Sequence, residues 1–486
     1  MAESSLDILV VGGGITGCGI ALDAASRGFS VALAERDDFA AGTSGRSSRM
    51  VHGGVRYLPQ GDLAMVHEAL RERAVILGLA PHLARPTPMY FPAASAAARL
   101  PWRVGLTVYD ALAAGRNIRR HRTAPPEEVR RAIPGLDREV PAVVYHECRT
   151  DDARLTLEVA RTAHLLGALV ANHAEVVALN GNDRVSGGRV RDGMTGETFD
   201  VRARLVVNAA GVWADRVQAL ATDAPRKLRP SKGVHVVFRP GAVLTRVAVV
   251  LPSMSHDGRF VFLVPWEGRV YAGTTDSDYE GDLEDPPVTE EDLDYVVAAV
   301  ATTFPSVGRT DVVASWAGLR PLLGGATGTT ADLSRRHAVY ESPPGLLTIT
   351  GGKLTTYRAM AEDVVNRAGV ILGRRVPCRT ATIPLGLHTE LGGAFASAQT
   401  AATSLGLPSG AGRRMVERFG DDWTEAIRLI RDDPSLGERA VDGLPVLKVE
   451  LELARTRDMA LTDDDVVVRR TRISTMDAKA AATLSG

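Results

Sequence analysis

The chain has 486 residues, enough for two or three domains with substantial cores. Its formal net charge of −1 gives no reason to expect a nucleic-acid partner. The three cysteines are widely spaced and form no CxxC pair, so neither an iron–sulfur cluster nor any other metal site is predicted. No apolar run reaches the roughly 20 residues that span a bilayer, and no signal peptide is recognisable. These features predict a cytoplasmic protein and leave open a peripheral attachment to the inner face of the cell membrane.

The first 35 residues have the pattern of a dinucleotide-binding strand, turn and helix. Residues 6–11 are almost wholly apolar, which is typical of a strand that is buried on both faces. Gly12, Gly14 and Gly17 then allow a tight turn, close approach of a pyrophosphate and close packing of the following helix. A second predicted strand ends at Glu35, whose carboxylate can accept hydrogen bonds from both hydroxyls of a ribose. The order of these features predicts a dinucleotide site.

A loop rich in glycine, serine and arginine follows at residues 41–60, and the spacing of residues 62–79 predicts a helix. Residues 99–122 combine Trp102 with six arginines among apolar residues. A basic segment with an interfacial aromatic residue can lie on anionic lipid. A solvated surface is the alternative interpretation of the same composition.

Residues 152–166 are predicted to be helical, and residues 168–208 are predicted to form strands around a hairpin. Residues 232–275 alternate between apolar and polar positions with no helix between the strands, unlike the first domain. We therefore predict a β-rich substrate domain that is inserted into the dinucleotide-binding domain.

Two later segments have the same order as the first motif, a strand followed by a turn of small residues. The strand that ends near residue 208 runs into a turn of small residues, Ala210 and Gly211, whose backbone a cofactor can approach closely. The strand at 346–350 ends at Gly351 and Gly352 before a helix, whose N-terminal amides can hold the pyrimidine oxygens of a flavin. Together with the first motif, these segments favour FAD over NAD.

Beyond residue 380 the pattern is mostly helical, and Thr462 to Asp465 has the spacing of a capping box. The predicted fold class is α/β, with a Rossmann-like FAD-binding domain, an inserted β-rich substrate domain and a helical C-terminal domain. The FAD-binding domain is predicted at residues 1–90, 150–230 and 331–378, the substrate-binding domain at 91–149 and 231–330, and the C-terminal domain at 379–486.

Eleven segments of the chain match those of a known protein family and occur in the same order as in that family. The chain resembles the FAD-dependent glycerol-3-phosphate dehydrogenases of the single-chain, quinone-linked type, within the glycine-oxidase-like flavoprotein superfamily. The matching segments are GGGITGCGIALDAASRG, TSGRSSRMVHGGVRYL, PHLARPTP, TDDARLTLEVA, NAAGVWAD, KGVHVVF, YAGTTD, WAGLRPL, SRRH, TGGKLTTYR and VVVRRTR. They cover most of residues 6–360, with a weaker match near 455–472.

The resemblance implies a role for each matching residue. Those that would contact FAD are Gly12, Gly14, Gly17, Glu35, Ser44, Ser47, Ser48, Gly53, Ala210, Gly211, Gly351, Gly352, Lys353 and Leu354. Arg56, Tyr57, Arg320 and Arg335 would bind the substrate phosphate, and Lys353 would lie near the flavin and the substrate hydroxyl. His235 is the first candidate for the general base, and His52 is the competing one. At residue 336 the family usually has an acid, whereas this chain has Arg336.

The resemblance implies oxidation of sn-glycerol 3-phosphate to dihydroxyacetone phosphate, with electrons passed from FAD to a membrane quinone. One alternative is an oxidase on the same scaffold that uses oxygen. Another is a flavoenzyme that oxidises a different hydroxy or amino acid, in which the arginines would hold a carboxylate. An alternative that is not an enzyme is a protein that binds the flavin without catalytic turnover. The sequence leaves open whether the chain forms a homodimer.

Overall fold

The computed structural model describes residues 5–223, 227–252, 260–324 and 336–484. The strands are β1 (Leu6–Val11), β2 (Val31–Ala34), β3 (Met50–Val51), β4 (Arg85–Pro92), β5 (Arg122–Ala124), β6 (Ala142–Arg149), β7 (Leu169–Ala171), β8 (Ala174–Leu179), β9 (Gly187–Asp192), β10 (Thr198–Asn208), β11 (Leu228–Phe238), β12 (Ala248–Pro252), β13 (Phe260–Trp266), β14 (Arg269–Gly273), β15 (Ser277–Asp278), β16 (Val312–Leu323), β17 (Ala338–Glu341) and β18 (Leu346–Thr350).

Helices connect and cover these strands. They are α1 (Ile15–Ser26), α2 (Leu63–Leu79), α3 (Ala96–Leu112), α4 (Pro126–Ala132), α5 (Asp152–Leu165), α6 (Ala214–Ala219), α7 (Glu290–Ala301), α8 (Tyr357–Ile371), α9 (Leu391–Ser404), α10 (Ala411–Phe419), α11 (Trp423–Asp432), α12 (Lys448–Thr456), α13 (Ile473–Met476) and α14 (Ala478–Ala482). A π-helix occupies Asp465–Arg470.

The first sheet has the strand order β17-β18-β10-β1-β2-β7, with β8 and β9 extending from β10. β1 pairs in parallel with β2 and β10, and β10 pairs in parallel with β18. Parallel sheets are covered by helices on their faces, and α1, α5 and α8 contribute to the core beneath this one. Because parallel strands end at the same edge, the three glycine-containing turns after β1, β10 and β18 come together there.

The second sheet has the order β15-β11-β14-β13-β12-β4-β6-β3, with β16 paired to β11 and β5 paired to β6. The antiparallel register places His235 of β11 opposite Gly273 on one side and Trp316 on the other. β3 and β4 belong to this sheet because they pair with β6, although the sequence placed residues 1–90 in the FAD-binding domain. The boundary predicted at residue 90 therefore falls inside β4.

Helix α3 places its tryptophan and its aliphatic residues on different sides. Trp102 packs inward, with its ring centroid 4.5 Å from Phe91 and 4.9 Å from Phe260. Leu100 and Val104, which are 59% and 58% exposed, point outward instead. Trp102 is thus partly buried against the core of the second sheet, and the outer surface of α3 includes exposed aliphatic residues. Among the described residues, no helix combines the length and the apolar character that a bilayer-crossing segment needs.

The C-terminal helices are joined to the first domain by buried ion pairs. The predicted capping box lies at the start of the π-helix. Thr462 Oγ1 accepts a hydrogen bond from the backbone N–H of Asp465, and the Asp465 carboxylate accepts one from the backbone N–H of Thr462. Arg470 then donates two hydrogen bonds to the carboxylate of Asp38, and Arg469 Nε donates to it at 2.7 Å. Asp38 is fully buried, so these arginines provide its charge compensation.

We predict that Asp38→Asn lowers the free energy of unfolding by about 3–5 kcal/mol, because it leaves the buried Arg470 without its counter-charge and leaves Arg469 with Asp465 alone. Equilibrium unfolding in urea measures the change. Asp432→Asn is the matched control, since Asp432 is 63% exposed in its pair with Arg428. Its effect should stay within about 0.5 kcal/mol. Equal effects for the two variants would contradict the structural role of the Asp38 pairs.

Candidate active site

A cavity of about 420 Å³ lies at the edge of the first sheet where β1, β10 and β18 end. It is lined by the three turns together with the loop after β2. Of the residues predicted to bind the cofactor, those that line it are Gly12, Gly14, Glu35, Ser44, Ser47, Ala210, Gly211, Gly351, Gly352, Lys353 and Leu354. Its volume is in the range of sites that bind small molecules and cofactors.

The glycine motif has the tight packing that the sequence predicted. A Cβ on Gly17 would lie 1.9 Å from the carbonyl oxygen of Gly12, so Gly17 lets α1 begin directly against the turn. Gly14 is the N-cap of α1, and Ser44 Oγ accepts a hydrogen bond from the N–H of Ile15 at 2.9 Å. The free amides at this helix start suit an anion such as a pyrophosphate.

Glu35 ends β2 inside the same cavity. Its carboxylate accepts hydrogen bonds from the N–H groups of Gly13 and Asp37. Burial raises the pKa of Glu35 to about 6, and these two N–H groups oppose the rise. A carboxylate held in this way can accept hydrogen bonds from the vicinal hydroxyls of a ribose.

The turn after β18 requires glycine because of its backbone conformation and because of a close neighbouring side chain. Gly352 has a φ of +80°, and a Cβ there would lie 2.3 Å from Met360 Sδ. Gly351, Gly352, Lys353 and Leu354 face the first cavity, and the last three also face a second one. This turn is therefore the wall that the two cavities share.

The second cavity, of about 210 Å³, lies between the shared turn and the second sheet. The charged side chains along it are mainly cationic: Arg46, Arg56, Arg320 and Lys353, with His52 and His235 beside them. Glu147 is the acid among the lining residues, and it is already bonded to Arg73, Tyr109 and the N–H of Gly53. The cavity thus suits a small anion.

Arg320 is held rigidly in this cavity. Its Nη1 donates to Asp276 and Ser231 at 3.1 and 3.2 Å, and its Nη2 donates to Thr274 Oγ1 and to the Thr275 carbonyl, both at 3.1 Å. These partners come from β11 and from the segment after β14. A guanidinium fixed in this way loses little conformational freedom when it binds an anion.

Lys353 and Arg56 both lie over the ring of Tyr57. Lys353 Nζ is 3.8 Å from the ring centroid and 2.8 Å from Met65 Sδ. The Arg56 guanidinium carbon is 5.1 Å from the same centroid. Tyr57 is 4% exposed, so this ring forms a fixed platform for both cations.

His235 borders the cavity opposite the shared turn and is 2% exposed. Its Nε2 lies 2.9 Å from Ser48 Oγ, and its ring stacks on Trp316 at 4.8 Å with an interplanar angle of 10°. Burial lowers the pKa of His235 well below its ordinary value, and the positive charges of Arg320 and Arg49 lower it further. A neutral imidazole, able to accept a proton, is the form that this environment favours.

The other predicted site residues occupy different positions. His52 lines the second cavity too, with its backbone N–H bonded to Thr355 Oγ1 at 3.2 Å. Gly53 is buried against Tyr109, and its neighbour Gly54 is the residue that lines the cavity. Arg335 lies outside the described residues. Arg336, the departure from the family pattern, pairs with Asp62 at the N-cap of α2, at 2.8 Å.

Sequence reasoning gave no role to several residues that line the cavities, although Thr43, Arg46, Met50 and Trp213 lie inside the matching segments. They are Thr43, Arg46, Trp213, Met50, Met89, Tyr145, Glu147 and Phe262. Most come from strands of the second sheet, where alternation indicates a strand without indicating what lies across from it.

Comparison with known proteins identifies the family. Residues 7–364 match the family model described as FAD dependent oxidoreductase, and residues 378–485 match the C-terminal domain of alpha-glycerophosphate oxidase. Glycerol-3-phosphate dehydrogenase 2 of Mycobacterium bovis is 39% identical over 485 residues, covering 98% of this chain and 82% of that protein. These matches extend over both predicted parts, the FAD-binding core and the helical C-terminal region.

Solved structures agree with the sequence matches. A glycerol-3-phosphate dehydrogenase from Bacillus halodurans, complexed with FAD, has a TM-score of 0.80 at 33% identity and covers 99% of this chain and 89% of that one. Glycine oxidase from Geobacillus kaustophilus has a TM-score of 0.57 at 21% identity, covering 79% of this chain and 100% of that one, and so shares the fold. The predicted fold class is confirmed. The chain therefore belongs to the FAD-dependent oxidoreductases and, among them, to the glycerol-3-phosphate dehydrogenase family.

Proposed function

We propose that this protein oxidises sn-glycerol 3-phosphate to dihydroxyacetone phosphate and passes the electrons from FAD to a membrane quinone. The observation that carries the proposal is a small cationic cavity that shares the Gly351–Leu354 turn with the dinucleotide cavity. Relatives that match almost the whole chain carry the name glycerol-3-phosphate dehydrogenase. An anionic substrate in the second cavity would lie beside a cofactor in the first.

The residues of the first cavity fit FAD. The amides at the start of α1 would hold the pyrophosphate, and Glu35 would accept hydrogen bonds from the ribose. The turn at Gly351 and Gly352 brings backbone amides and the Lys353 ammonium to the border between the cavities. When bound, FAD supplies the two-electron acceptor for the hydride that leaves the carbinol carbon.

The charge of the second cavity favours a phosphate ester over a carboxylate. A phosphate dianion carries up to two charges and three acceptor oxygens, which suit the planar fork of Arg56, while Arg320 adds positive charge to the same cavity. An amino acid brings a positive charge of its own when protonated, and the cations around this cavity would repel it. The phosphorylated polyol is thus favoured over the alternative substrates.

His235 is the group that we assign to proton transfer. In alcohol oxidation, the C–H bond breaks with its electron pair, the hydroxyl proton leaves and a carbonyl forms. The buried imidazole beside Ser48 accepts that proton. Lys353, held over Tyr57 next to the shared turn, stabilises the negative charge that develops as the hydroxyl is deprotonated.

Arg56→Met should raise the KM for glycerol 3-phosphate by about 10- to 150-fold, because one charge-assisted contact to phosphate is worth about 1.5–3 kcal/mol. Flavin reduction by unphosphorylated glycerol, slow in both proteins, should not change. Arg131→Met removes an arginine that is 72% exposed and lines neither cavity, and it serves as the control. Steady-state kinetics measure both. An unchanged KM in Arg56→Met would contradict the phosphate site.

His235→Gln should slow flavin reduction at saturating substrate by about 100- to 10,000-fold, the usual contribution of a general base. The pKa of His235 lies below its ordinary value, so the wild-type rate should stay constant through neutral pH. It should fall only on the acidic side, where the imidazole becomes protonated and can no longer accept the proton. Stopped-flow absorbance under anaerobic conditions follows the reaction. A larger loss in His52→Gln than in His235→Gln would reassign the base.

The outer surface of α3 supports a lipid-soluble acceptor. Leu100, Val104 and Val108 lie one helical turn apart and are all exposed, as is Leu63 of α2. Arg103 of the same helix is exposed, as are Arg116, Arg119 and Arg120, which follow α3 in the chain. An aliphatic helix face with a basic border binds the interface of anionic membranes. Beneath α3, Trp102 contacts Tyr145, which lines the second cavity, so this face adjoins the reaction site.

The variant Leu100→Glu/Val104→Glu should bind anionic vesicles at least about tenfold more weakly, because it places two carboxylates on the apolar face. Vesicle co-sedimentation measures this. Its turnover with a long-chain quinone in vesicles should fall, while turnover with a water-soluble quinone stays at the wild-type level. Val370→Glu, an exposed aliphatic residue of α8, is the control. Loss of activity with both quinones, or with neither, would contradict the membrane role of α3.

A further inference from the structure

Arg49 is a buried cation that the proposed reaction does not use. It is 1% exposed, and no carboxylate of the described residues forms an ion pair with it. Its Nη2 donates to Thr475 Oγ1 at 2.9 Å, while Nε and Nη1 have no hydrogen-bond partner among the residues that the structure describes. Asp152 and Asp151 attract this buried charge without forming an ion pair with it, so direct contacts of another kind hold the guanidinium in place.

Two indole rings provide that interaction. The guanidinium carbon of Arg49 lies 3.9 Å from the ring centroid of Trp266 and 4.4 Å from that of Trp316. The His235 imidazole also stacks on the Trp316 ring, almost in parallel with it. Trp266, Arg49, Trp316 and His235 thus form one continuous stack that ends at the second cavity.

The loop that carries Ser47, Ser48 and Arg49 is also fixed to this stack through its backbone carbonyls. Trp316 Nε1 donates to the carbonyl of Ser47 at 3.3 Å, and the Tyr271 hydroxyl donates to the carbonyl of Ser48 at 2.9 Å. Ser48 Oγ in turn contacts His235 Nε2. Arg49 therefore belongs to the segment that orients both the ring plane and the ring nitrogen of His235.

We propose that Arg49 is a positioning residue for the proton-accepting histidine: its guanidinium fixes the Trp316 indole, and through that indole it holds the His235 imidazole in a neutral, correctly oriented state. The inference rests on the proposed function of His235. Arg49 does not line the second cavity, so its effect passes through Trp316 and through its charge rather than through substrate contact.

The charges around His235 define the expected pH effect. Arg49 and Arg320 both disfavour the protonated ring, and Arg320 is partly neutralised by Asp276. The Tyr271 ring packs edge-on against His235 and is uncharged at neutral pH, since burial raises its pKa. The remaining charged or titratable groups that line the cavity are Arg46, Arg56, His52, Glu147, Lys353, Tyr57 and Tyr145. A substitution that removes the Arg49 charge should therefore raise the pKa of His235. A substitution that keeps the positive charge should leave that pKa unchanged.

The test compares Arg49→Met with Arg49→Lys in the FAD-loaded enzyme. We expect Arg49→Met to slow flavin reduction by about tenfold or more and to move the acid limb of its pH profile upward by about one pH unit. Arg49→Lys keeps the charge but lacks the planar fork, so its rate should fall while the acid limb stays near its wild-type position. Histidine 13C NMR provides a readout that does not depend on turnover, with the His235 signal assigned by its loss in His235→Gln.

Arg27→Met is the matched control, because Arg27 is a buried arginine that pairs with Asp23 at the end of α1, outside both cavities. It should lower stability without moving the acid limb or the His235 signal. If Arg49→Met does not fold, Trp266→Leu removes one face of the sandwich without touching His235 and should slow flavin reduction in the same way. An unmoved His235 titration in Arg49→Met, or a wild-type reduction rate in Trp266→Leu, would overturn the proposal.

Failure of the inference and failure of the proposed function give different results. A wild-type flavin that glycerol 3-phosphate does not reduce would refute the function. The NMR titration of His235 in wild type and Arg49→Met would then still decide whether Arg49 controls the histidine.

Discussion

The fold depends on a set of buried ion pairs that joins the C-terminal segment to the cofactor-binding core. Asp38 is bonded to Arg469 and Arg470, and Arg472 donates to Asp152. Burial opposes ionisation of the neighbouring Asp151, but Arg472 and Arg418 hold its pKa below the ordinary value. Separating the C-terminal region from the core would break all of these pairs and leave the buried Asp38 and Arg470 uncompensated, at a large cost.

These pairs also shape the loop that lies between the two cavities. Asp152, the acid that Arg472 contacts, accepts hydrogen bonds from the N–H and the hydroxyl of Ser47. Arg472 donates to the carbonyl of Gly45 as well. The C-terminal segment thus fixes the loop that carries Ser47, Ser48 and Arg49, and the geometry around His235 depends on residues more than 200 positions away in the chain.

The sequence predicted those parts of the site whose conformation is determined by neighbouring residues in the chain. Gly12 and Gly352 adopt positive φ values that glycine tolerates, and a strand before each turn makes the pattern readable. The stack of Arg49 on Trp266 and Trp316 depends on strand register across the second sheet, which no local spacing encodes. For the segment around Trp102 the sequence left open a lipid interface and a solvated surface, because the rotation of α3 that turns the ring inward is not encoded in local spacing.

The absorbance of the flavin in the purified enzyme, followed without oxygen as substrates are added, tests the central claim most directly. The account predicts that sn-glycerol 3-phosphate bleaches the oxidised flavin band, whereas glycerol at the same concentration leaves it essentially unchanged over the same time. A flavin band that persists with the phosphate ester, or that glycerol bleaches equally fast, would contradict the assignment of the cationic cavity as a phosphate-ester site.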